Sequence, residues 1–370
     1  MSVRIATFNM ENLFRRPTVF RLPDPQARAR LLTDFAELVA LLDKREYTSR
    51  DKERIAEIIL DHRIHAFDPR NPPPITINEP RRTDEIRLYD TSGSGNDVKI
   101  EIKAAGRASW VGWAELGQDD LDLNVVRNTG RVVSEVDADV LVTVEVEDRL
   151  TLERFNTQVL AGALGRRPYP YNLLVDGNDG RGIDIGILSR HPVTSVRPHL
   201  FDTRPDRPAK RLFSRDCPEF EIRLNGTPVV ILGNHLKSKF TDDPALRLAQ
   251  AKRVAEIHRA ALQRTPHVMV AGDLNDDPDS ETLAVLLDTG LRDVMSHRSY
   301  RGLPGTHGTC RTERDKLDYL LLPPSLWREV QHVGLETRGI FADGIKPFDT
   351  ITSKSEAASD HAALFVDLDL

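Results

Sequence analysis

The chain has 370 residues, of which 39% are hydrophobic and 29% are charged, a composition that is typical of water-soluble globular proteins and excludes disordered and fibrous classes. Its formal net charge of −6 removes the simple argument that a basic chain binds nucleic acid. The two cysteines, Cys217 and Cys310, are far apart in sequence, which excludes a disulfide scaffold and a zinc site of the CxxC type.

The first predicted element is a strand at residues 3–8, which is followed directly by Asn9. The N-terminus lacks the basic segment and apolar run of a secretory signal, and no apolar run is long enough to cross a membrane. We therefore expect a cytoplasmic protein with no membrane partner and no obligate protein partner.

Residues 15–121 form an irregular region that, at roughly a hundred residues, is too long for an ordinary loop. One-sided apolar spacing predicts helices near 26–43 and 49–64, and the segments "EIRLYD" and "DVKIEIKA" around "TSGSGN" predict a hairpin. We interpret the region as an inserted subdomain that acts as a lid, a substrate-selecting wall or an oligomer contact. Trp110 and Trp113 are either anchors for such a contact or local core.

The pattern of elements becomes regular after residue 121. Helices are predicted near 123–136, 151–164, 245–263 and 280–289, and strands at "DVLVTVEV", "GIDIGILS", "FEIRL", "PVVILGNH", "HVMVAGD", "LDYLLL" and "HAALFVDLDL". Buried and half-buried strands both occur and outnumber the helices. The pattern predicts an α/β (α+β) fold, a four-layer sandwich of two packed mixed β-sheets flanked by helices, as one domain over 1–370 with the insertion after the first strand.

Polar side chains recur where these strands begin or end. They are Asn9, Glu145, Asn234, His235, Asp273, Asn275, Asp318, Asp360 and His361. If the strand ends lie on one rim of a sheet, carboxylates, amides and imidazoles share a cleft. Turn and cap preferences explain some Asp and Asn residues, such as those of "DDPDS" at 276–280, but not the histidines or "SDH".

The segment "GDLND" at 272–276 carries the most specific local pattern. Asp273 and Asn275 point the same way in extended backbone, and Gly272 allows a ligand to approach the chain closely. Oxygen ligands without sulfur suit a hard divalent ion, Mg²⁺ or Mn²⁺ before zinc, with Ca²⁺ also compatible.

Three further features of the sequence are candidates for the site, and two of them can be interpreted in two ways. Arg181 is a candidate phosphate contact in a glycine-rich loop. Asp184 either faces the cleft or lies outward on an alternating strand. The basic stretch 204–215, "RPDRPAKRLFSR", is either a polyanion contact or a solvated surface loop, and the latter is favoured. The remaining histidines, including His307, are interpreted as surface or core residues.

Taken in chain order, several segments resemble the endonuclease/exonuclease/phosphatase superfamily of metal-dependent phosphodiesterases and phosphatases. The matching segments are "TFNMEN", "VEVE", "GIDIGILSR", "GNHLKSK", "GDLND", "LDYLL" and "SDHAAL". The superfamily includes deoxyribonuclease-I-like nucleases, abasic-site endonucleases, sphingomyelinases and inositol polyphosphate 5-phosphatases. "NHLKSK" together with "GDLNDDPDS" is most similar to its bacterial nuclease branch.

The resemblance implies a metal site and a catalytic histidine. Glu145 would be the direct metal ligand, accompanied by Asn9, and Asp360 would complete the acidic rim. His361 would be the catalytic histidine, oriented by Asp318.

The resemblance also implies the groups around the reacting phosphate. Asp273 would position or deprotonate the attacking water, and Asn275 would contact the phosphate. Asn234 and His235 would hold the scissile phosphate, with Lys237 as a further contact.

The sequence therefore favours a divalent-metal-dependent phosphodiesterase that hydrolyses nucleic acid, with DNA as the favoured substrate, acting as an endonuclease or exonuclease. The alternative keeps the chemistry and changes the substrate to a phospholipid or inositol phosphate. A non-catalytic binding protein that reuses the fold is the third interpretation, and it is the weakest because every expected catalytic position is filled.

Overall fold

The computed structural model describes residues 2–13, 17–66, 68, 72–79, 87–118, 122–239 and 243–370. Its strands are β1 (Ser2–Leu13), β2 (Ile75–Asn78), β3 (Tyr89–Ser92), β4 (Lys99–Ile102), β5 (Trp113–Leu116), β6 (Val140–Val146), β7 (Tyr171–Val175), β8 (Asp184–Ser189), β9 (Val193–Arg197), β10 (Thr203–Arg204), β11 (Arg207–Arg211), β12 (Glu219–Leu224), β13 (Thr227–His235), β14 (Val268–Asp273), β15 (Arg292–Asp293), β16 (Asp318–Leu322), β17 (Val330–Glu336) and β18 (Ala363–Asp369). Its α-helices are α1 (Pro25–Leu42), α2 (Ser49–Asp61), α3 (Leu123–Val136), α4 (Arg149–Arg154), α5 (Pro244–Ala261), α6 (Glu281–Leu287) and α7 (Pro324–Trp327).

Two compact units share the chain. The first contains residues 1–14 and 121–370, and the second contains residues 15–120. None of the described helices is long and apolar enough to cross a membrane.

The first unit contains two six-stranded mixed sheets. One has the strand order β17-β18-β1-β6-β8-β7, in which β1 and β6 are parallel and the other neighbours antiparallel. The other has the order β15-β16-β14-β13-β12-β9, in which β13 and β14 are the parallel pair. Parallel neighbours end at the same edge, so each sheet brings two strand ends together.

The sheets pack face to face over an apolar core, and helices cover both outer faces. Side chains such as Ile5, Val142 and Ile187 of the first sheet share this core with Ile231 and Leu320 of the second. Helix α3 packs on the outer face of the first sheet, and α5 and α6 pack on that of the second. The α/β class with two packed mixed sheets flanked by helices is confirmed.

One predicted helix differs in detail from the structure. The helix expected near 151–164 is divided into α4 and a π-helix at Phe155–Ala163. Asp148 caps α4 by accepting a hydrogen bond from the Thr151 amide, and this cap starts the helix two residues earlier than expected.

The second unit has its own apolar core, made by α1, α2 and four short strands. Strand β2 pairs with β5 and β3 pairs with β4, both antiparallel. Thr48 and Asp51 form a capping box at the start of α2. Trp110 is buried in this core and donates a hydrogen bond to the Tyr47 hydroxyl at 2.8 Å, whereas Trp113 is 55% exposed. Of the two tryptophans, only Trp110 is therefore core.

Candidate active site

A cleft of about 880 Å³ opens at one edge of the two packed sheets. The carboxyl ends of β1, β6, β13 and β14 meet there, together with the starts of β16 and of the segment before β18. Predicted residues that line the cleft are Asn9, Glu145, Arg181, His235, Lys237, Asp273, Asn275, Asp360 and His361. The two sheets thus bring together side chains that are up to 352 positions apart in sequence, from Asn9 to His361.

His361 is held by Asp318 at the back of the cleft. Oδ2 of Asp318 lies 2.8 Å from Nδ1 of His361 and also accepts a hydrogen bond from the Thr306 hydroxyl at 2.7 Å. Burial alone lowers the pKa of His361, but the surrounding carboxylates, Asp318 first, outweigh burial and hold it well above its usual value. The imidazole is therefore positively charged, with Nε2 directed away from Asp318.

Asp273 is fixed from three sides at the end of β14. Its carboxylate accepts hydrogen bonds from the Asn275 amide at 2.9 Å and from Nδ2 of Asn9 at 3.2 Å, and Nε2 of His235 lies 3.7 Å away. Cross-strand pairing places it opposite Asp318. Burial, followed by the charge of Asp318, raises the pKa of Asp273. A carboxylate with a raised pKa is a stronger base than an exposed one.

Glu145 reaches the cleft because β6 bulges at this residue. The pairing of β6 with both neighbours shifts between Val144 and Val146, and Glu145 adopts φ +61°. A non-glycine residue in this region is strained, and such strain persists where surrounding packing fixes it. In a regular strand Glu145 would alternate with Val144 and Val146, so the bulge is what re-aims its carboxylate.

His235 and Asn275 complete the centre of the cleft. Burial lowers the pKa of His235 well below its usual value, and the charge of Arg215 adds to this effect, so the imidazole is neutral. Nδ1 of His235 has no hydrogen-bond partner among the described residues. Asn275 adopts φ +53° and donates from Nδ2 to the Leu236 carbonyl at 3.2 Å.

Asp360 lies on the rim between two histidines. Its carboxylate is 3.5 Å from Nε2 of His307 and 3.7 Å from Nε2 of His361. Burial raises the pKa of Asp360, but the hydrogen bond from His307 and the charge of His361 outweigh burial and lower it. His307 also lines the cleft and contacts the ring of His361 edge to face at 4.8 Å, a position that its interpretation as a surface or core residue did not include.

The wall opposite this acidic rim is basic. Arg215 is only 3% exposed, lies 3.0 Å from Asp179 through Nε, and donates to the Leu236 carbonyl at 3.2 Å. Asp179 also accepts from Arg181 at 2.8 Å. Burial lowers the pKa of Arg215. Lys237 lines the same wall, and its backbone amide is fixed by the Gln250 side chain at 2.8 Å.

Two predicted positions lie elsewhere. Strand alternation turns Asn234 to the face opposite His235, where Nδ2 donates to the Leu232 carbonyl at 2.9 Å, and it does not line the cleft. Asp184 neither lines the cleft nor faces solvent. It is buried and accepts a hydrogen bond from the Gly177 amide at 2.8 Å, which anchors the loop that carries Asp179.

The basic stretch 204–215 has two parts. Residues up to Arg211 form the exposed hairpin β10–β11, whereas Leu212, Phe213 and Arg215 are buried. The favoured interpretation as a solvated loop is therefore wrong for its last residues. Charge alone could not separate the two parts, although the apolar pair Leu212 and Phe213 is a signal that the chain turns inward there.

The donor set of the cleft suits a hard divalent cation. Among the residues that the structure describes, none donates a hydrogen bond to the Glu145 carboxylate, and the closest ion-pair partner, Nε2 of His235, is 3.8 Å away. Burial raises the pKa of Glu145, and the charges of His361 and Arg215 offset this effect only in part, so the carboxylate is held at a cost in desolvation. Glu11, which the sequence analysis did not assign, adds a carboxylate beside it.

Two side-chain groups also bring ligand atoms within 4.8 Å of one another. They are His307, Asp360 and His361, and Asp273, Asp318 and His361. Both groups contain the charged His361, so we consider Glu145 with Asn9 the better fit for a metal ion.

Comparison with known families agrees with this geometry. The model of the Endonuclease/Exonuclease/phosphatase family matches residues 117–361. The chain belongs to this family. Members of the endonuclease/exonuclease/phosphatase family hydrolyse phosphoester bonds and typically use divalent metals.

Solved structures with detectable similarity cover about two thirds of the chain. A mannosyl-6-phosphatase from Bacteroides thetaiotaomicron is 17% identical over 66% of this chain and 90% of its own, with a TM-score of 0.49. A truncated TDP2 from Caenorhabditis elegans is 19% identical over 67% and 91%, with a TM-score of 0.45. Staphylococcus aureus beta toxin is 17% identical over 65% and 90%, with a TM-score of 0.44. No curated protein sequence matches the chain.

Proposed function

We propose that the protein is a divalent-metal-dependent phosphodiesterase that hydrolyses nucleic acid, with DNA as the favoured substrate. The observation that carries the proposal is the charged His361, fixed by Asp318 and facing Asp273 and Glu145 across one cleft. The basic wall around Arg215 supports a substrate that has negative charge beyond the reacting phosphate.

We assign the bond-making step to a water molecule that attacks phosphorus, while the bond from phosphorus to the leaving oxygen breaks and that oxygen takes up a proton from solvent to leave as an alcohol. Asp273 accepts a proton from that water, for which its raised pKa suits it. The His361 imidazolium and neutral His235 donate to phosphoryl oxygens, where negative charge develops. Asn275 donates one Nδ2 hydrogen to the Leu236 carbonyl, and its second Nδ2 hydrogen is available to a phosphoryl oxygen.

Glu145 and Asn9, with Asp360 on the rim, are the residues that would hold the metal ion. A bound Mg²⁺ or Mn²⁺ supplies positive charge against the phosphoryl and leaving oxygens. The Glu145 carboxylate supports this assignment, because it accepts no hydrogen bond from the described residues and burial raises its pKa.

The experiment is cleavage of supercoiled plasmid, labelled single-stranded DNA and labelled RNA with Mg²⁺, Mn²⁺, Ca²⁺ or EDTA. We expect metal-dependent cleavage by wild type and none detectable for Asp273→Asn or His361→Ala. His332→Ala is the matched control, since His332 is exposed on strand β17 and does not line the cleft.

Intact nucleic acid with every metal would contradict the proposal. Release of phosphate from phospholipid or inositol phosphate substrates would then identify the alternative substrate class. Cleavage that survives both cleft substitutions would show that a contaminant nuclease is responsible.

A further inference from the structure

A basic hairpin with an exposed aromatic ring adjoins the cleft. Its strands are β10 and β11, which pair antiparallel, and all five residues of β11, "RPAKR", are exposed. Phe201 precedes β10 and is 73% exposed. Arg211 covers one face of the Phe201 ring, with its guanidinium carbon 4.9 Å from the ring centre, and donates to the Phe201 carbonyl at 3.0 Å.

The base of the hairpin is hydrogen-bonded to the loop that carries Arg181 in the basic wall. Asn178, in the same loop as Arg181, donates from Nδ2 to the Leu200 carbonyl at 2.9 Å and to the Phe213 carbonyl at 3.1 Å. Arg253 of helix α5 binds the Asp202 carboxylate at 2.8 Å. These contacts flank the hairpin on both sides, so its exposed surface is held at a fixed position next to the cleft.

The cations of the hairpin differ in how they are paired. Arg204 is neutralised by Asp206, and Arg207 lies 3.6 Å from the same carboxylate. Lys210 and Arg211 have no ion-pair partner among the described residues. Arg211 also lines the cleft, so a cation without an ion-pair partner among the described residues connects the hairpin to the cleft.

We propose that the β10–β11 hairpin and Phe201 bind the part of a nucleic-acid strand that leaves the cleft. Lys210 and Arg211, with Arg207, contact backbone phosphates, and the uncovered face of Phe201 stacks on a base. This proposal rests on the proposed function, because it identifies the substrate as a polymer with phosphates and aromatic bases rather than a small phosphoester.

The composition of the hairpin favours nucleic acid over a lipid surface. The two residues at its tip are Pro205 and Asp206, so the tip presents no large apolar side chain for insertion into a membrane. Phe201 is the only large exposed apolar side chain on the described hairpin segment from 200 to 212. A single ring beside arginines suits base stacking, whereas membrane insertion requires a larger apolar surface.

The test measures binding and cleavage separately. Binding of a fluorescein-labelled single-stranded DNA 20-mer is followed by anisotropy in EDTA, and hydrolysis of bis(p-nitrophenyl) phosphate with Mn²⁺ reports the catalytic centre alone. The variants are Phe201→Ala, Phe201→Trp and Arg207→Gln/Lys210→Gln. Arg223→Gln/Arg328→Gln is the matched control, because both arginines are exposed at the sheet end opposite the cleft.

We expect Phe201→Ala to raise the Kd for the 20-mer about tenfold, as for loss of one stacked base, and Phe201→Trp to restore binding. The Arg207→Gln/Lys210→Gln variant should reduce the slope of log Kd against log salt by about 1.4, for two lost phosphate contacts on a single strand. Hydrolysis of the small diester should not change in any of these variants.

Wild-type affinity in all hairpin variants, or no binding of the 20-mer by wild type, would overturn the hairpin proposal. Hairpin-dependent sedimentation with phosphatidylserine vesicles, without hairpin-dependent DNA binding, would overturn it in favour of a lipid surface. Hairpin-dependent DNA binding without DNA cleavage, while the small diester is hydrolysed, would support the hairpin and contradict the proposed nuclease function.

Discussion

Oδ2 of Asp318 accepts from both Nδ1 of His361 and the hydroxyl of Thr306, at 2.8 and 2.7 Å. Thr306 in turn accepts hydrogen bonds from the amides of Leu317 and Asp318. Thr306 therefore links the Asp318 carboxylate to the backbone at the start of β16. The carboxylate held in this way orients His361. This arrangement sets both the orientation and the charge of His361.

The first prediction concerns this pair. Asp318→Asn should lower kcat about 10²- to 10⁴-fold, with little change in KM, because the substitution removes the charge that stabilises the imidazolium. Since carboxylates raise the pKa of His361, the loss of one should lower that pKa and move the alkaline limb of the pH–rate profile to lower pH. An unshifted limb at reduced kcat would indicate that Asp318 acts only through orientation.

The second prediction concerns Glu145. Glu145→Gln should raise the Mg²⁺ concentration needed for half-maximal activity by about tenfold or more, because the metal loses its anionic ligand. Burial raises the pKa of Glu145, so the same substitution should raise the Tm of the protein in EDTA. Tm with and without Mg²⁺ measures both effects.

The neighbouring Glu147→Gln serves as the control for Glu145, since Glu147 does not line the cleft. It should leave the metal dependence unchanged. Equal metal dependence of wild type and Glu145→Gln would place the ion on other ligands, of which Asp360 and His307 form the next candidate group.

The third prediction concerns pH and Asp184. Burial raises the pKa of Asp184 from 3.8 to about 7 in the folded protein. Its contribution to stability is therefore complete below about pH 4 and is lost as the pH rises through about 7. Asp184→Asn retains an acceptor for the Gly177 amide and removes the titration, so the fall in Tm between pH 5 and pH 8 should be smaller than in wild type. An identical fall in both proteins would refute the assignment.

The fourth prediction concerns the glycine that precedes Asp273. Gly272 has φ +132°, and a Cβ there would lie 2.0 Å from the Asn234 carbonyl oxygen on the paired strand β13. Gly272→Ala should lower the free energy of unfolding by more than about 2 kcal/mol. Gly226→Ala is the control, because Gly226 has φ +92° with open space around it and carries only the conformational cost of about 1 kcal/mol. Denaturant unfolding of the two variants distinguishes steric from conformational cost.

Short-range sequence patterns were sufficient to predict the strands and most of the candidate residues that line the cleft. Alternation and apolar runs predicted β6, β13 and β14, because side-chain period and burial are local properties of a strand. Polar residues at the strand ends identified Asp273 and His361 as members of one site, because residues that are costly to bury need a partner there.

Local pattern failed where the backbone departs from regular geometry or where a distant contact decides burial. The bulge at Glu145 depends on pairing with both β1 and β8, so no pattern within β6 predicts it. Asn234 is adjacent to His235, and only the orientation of β13 in the sheet decides which of them faces the cleft.

The sequence by itself determined the family, the order of the strands and the chemical types available at their ends. The tertiary structure alone decided that Arg215 is buried in the cleft beside Asp179 and that His307 contacts His361. The physical reason is that strand periodicity is encoded over a few residues, whereas the burial and charge of a side chain depend on groups far away in the chain. The apolar pair Leu212 and Phe213 indicates that the chain turns inward near Arg215, but no local pattern predicts the partners of Arg215 and His307, because their surroundings exist only after the two sheets have packed.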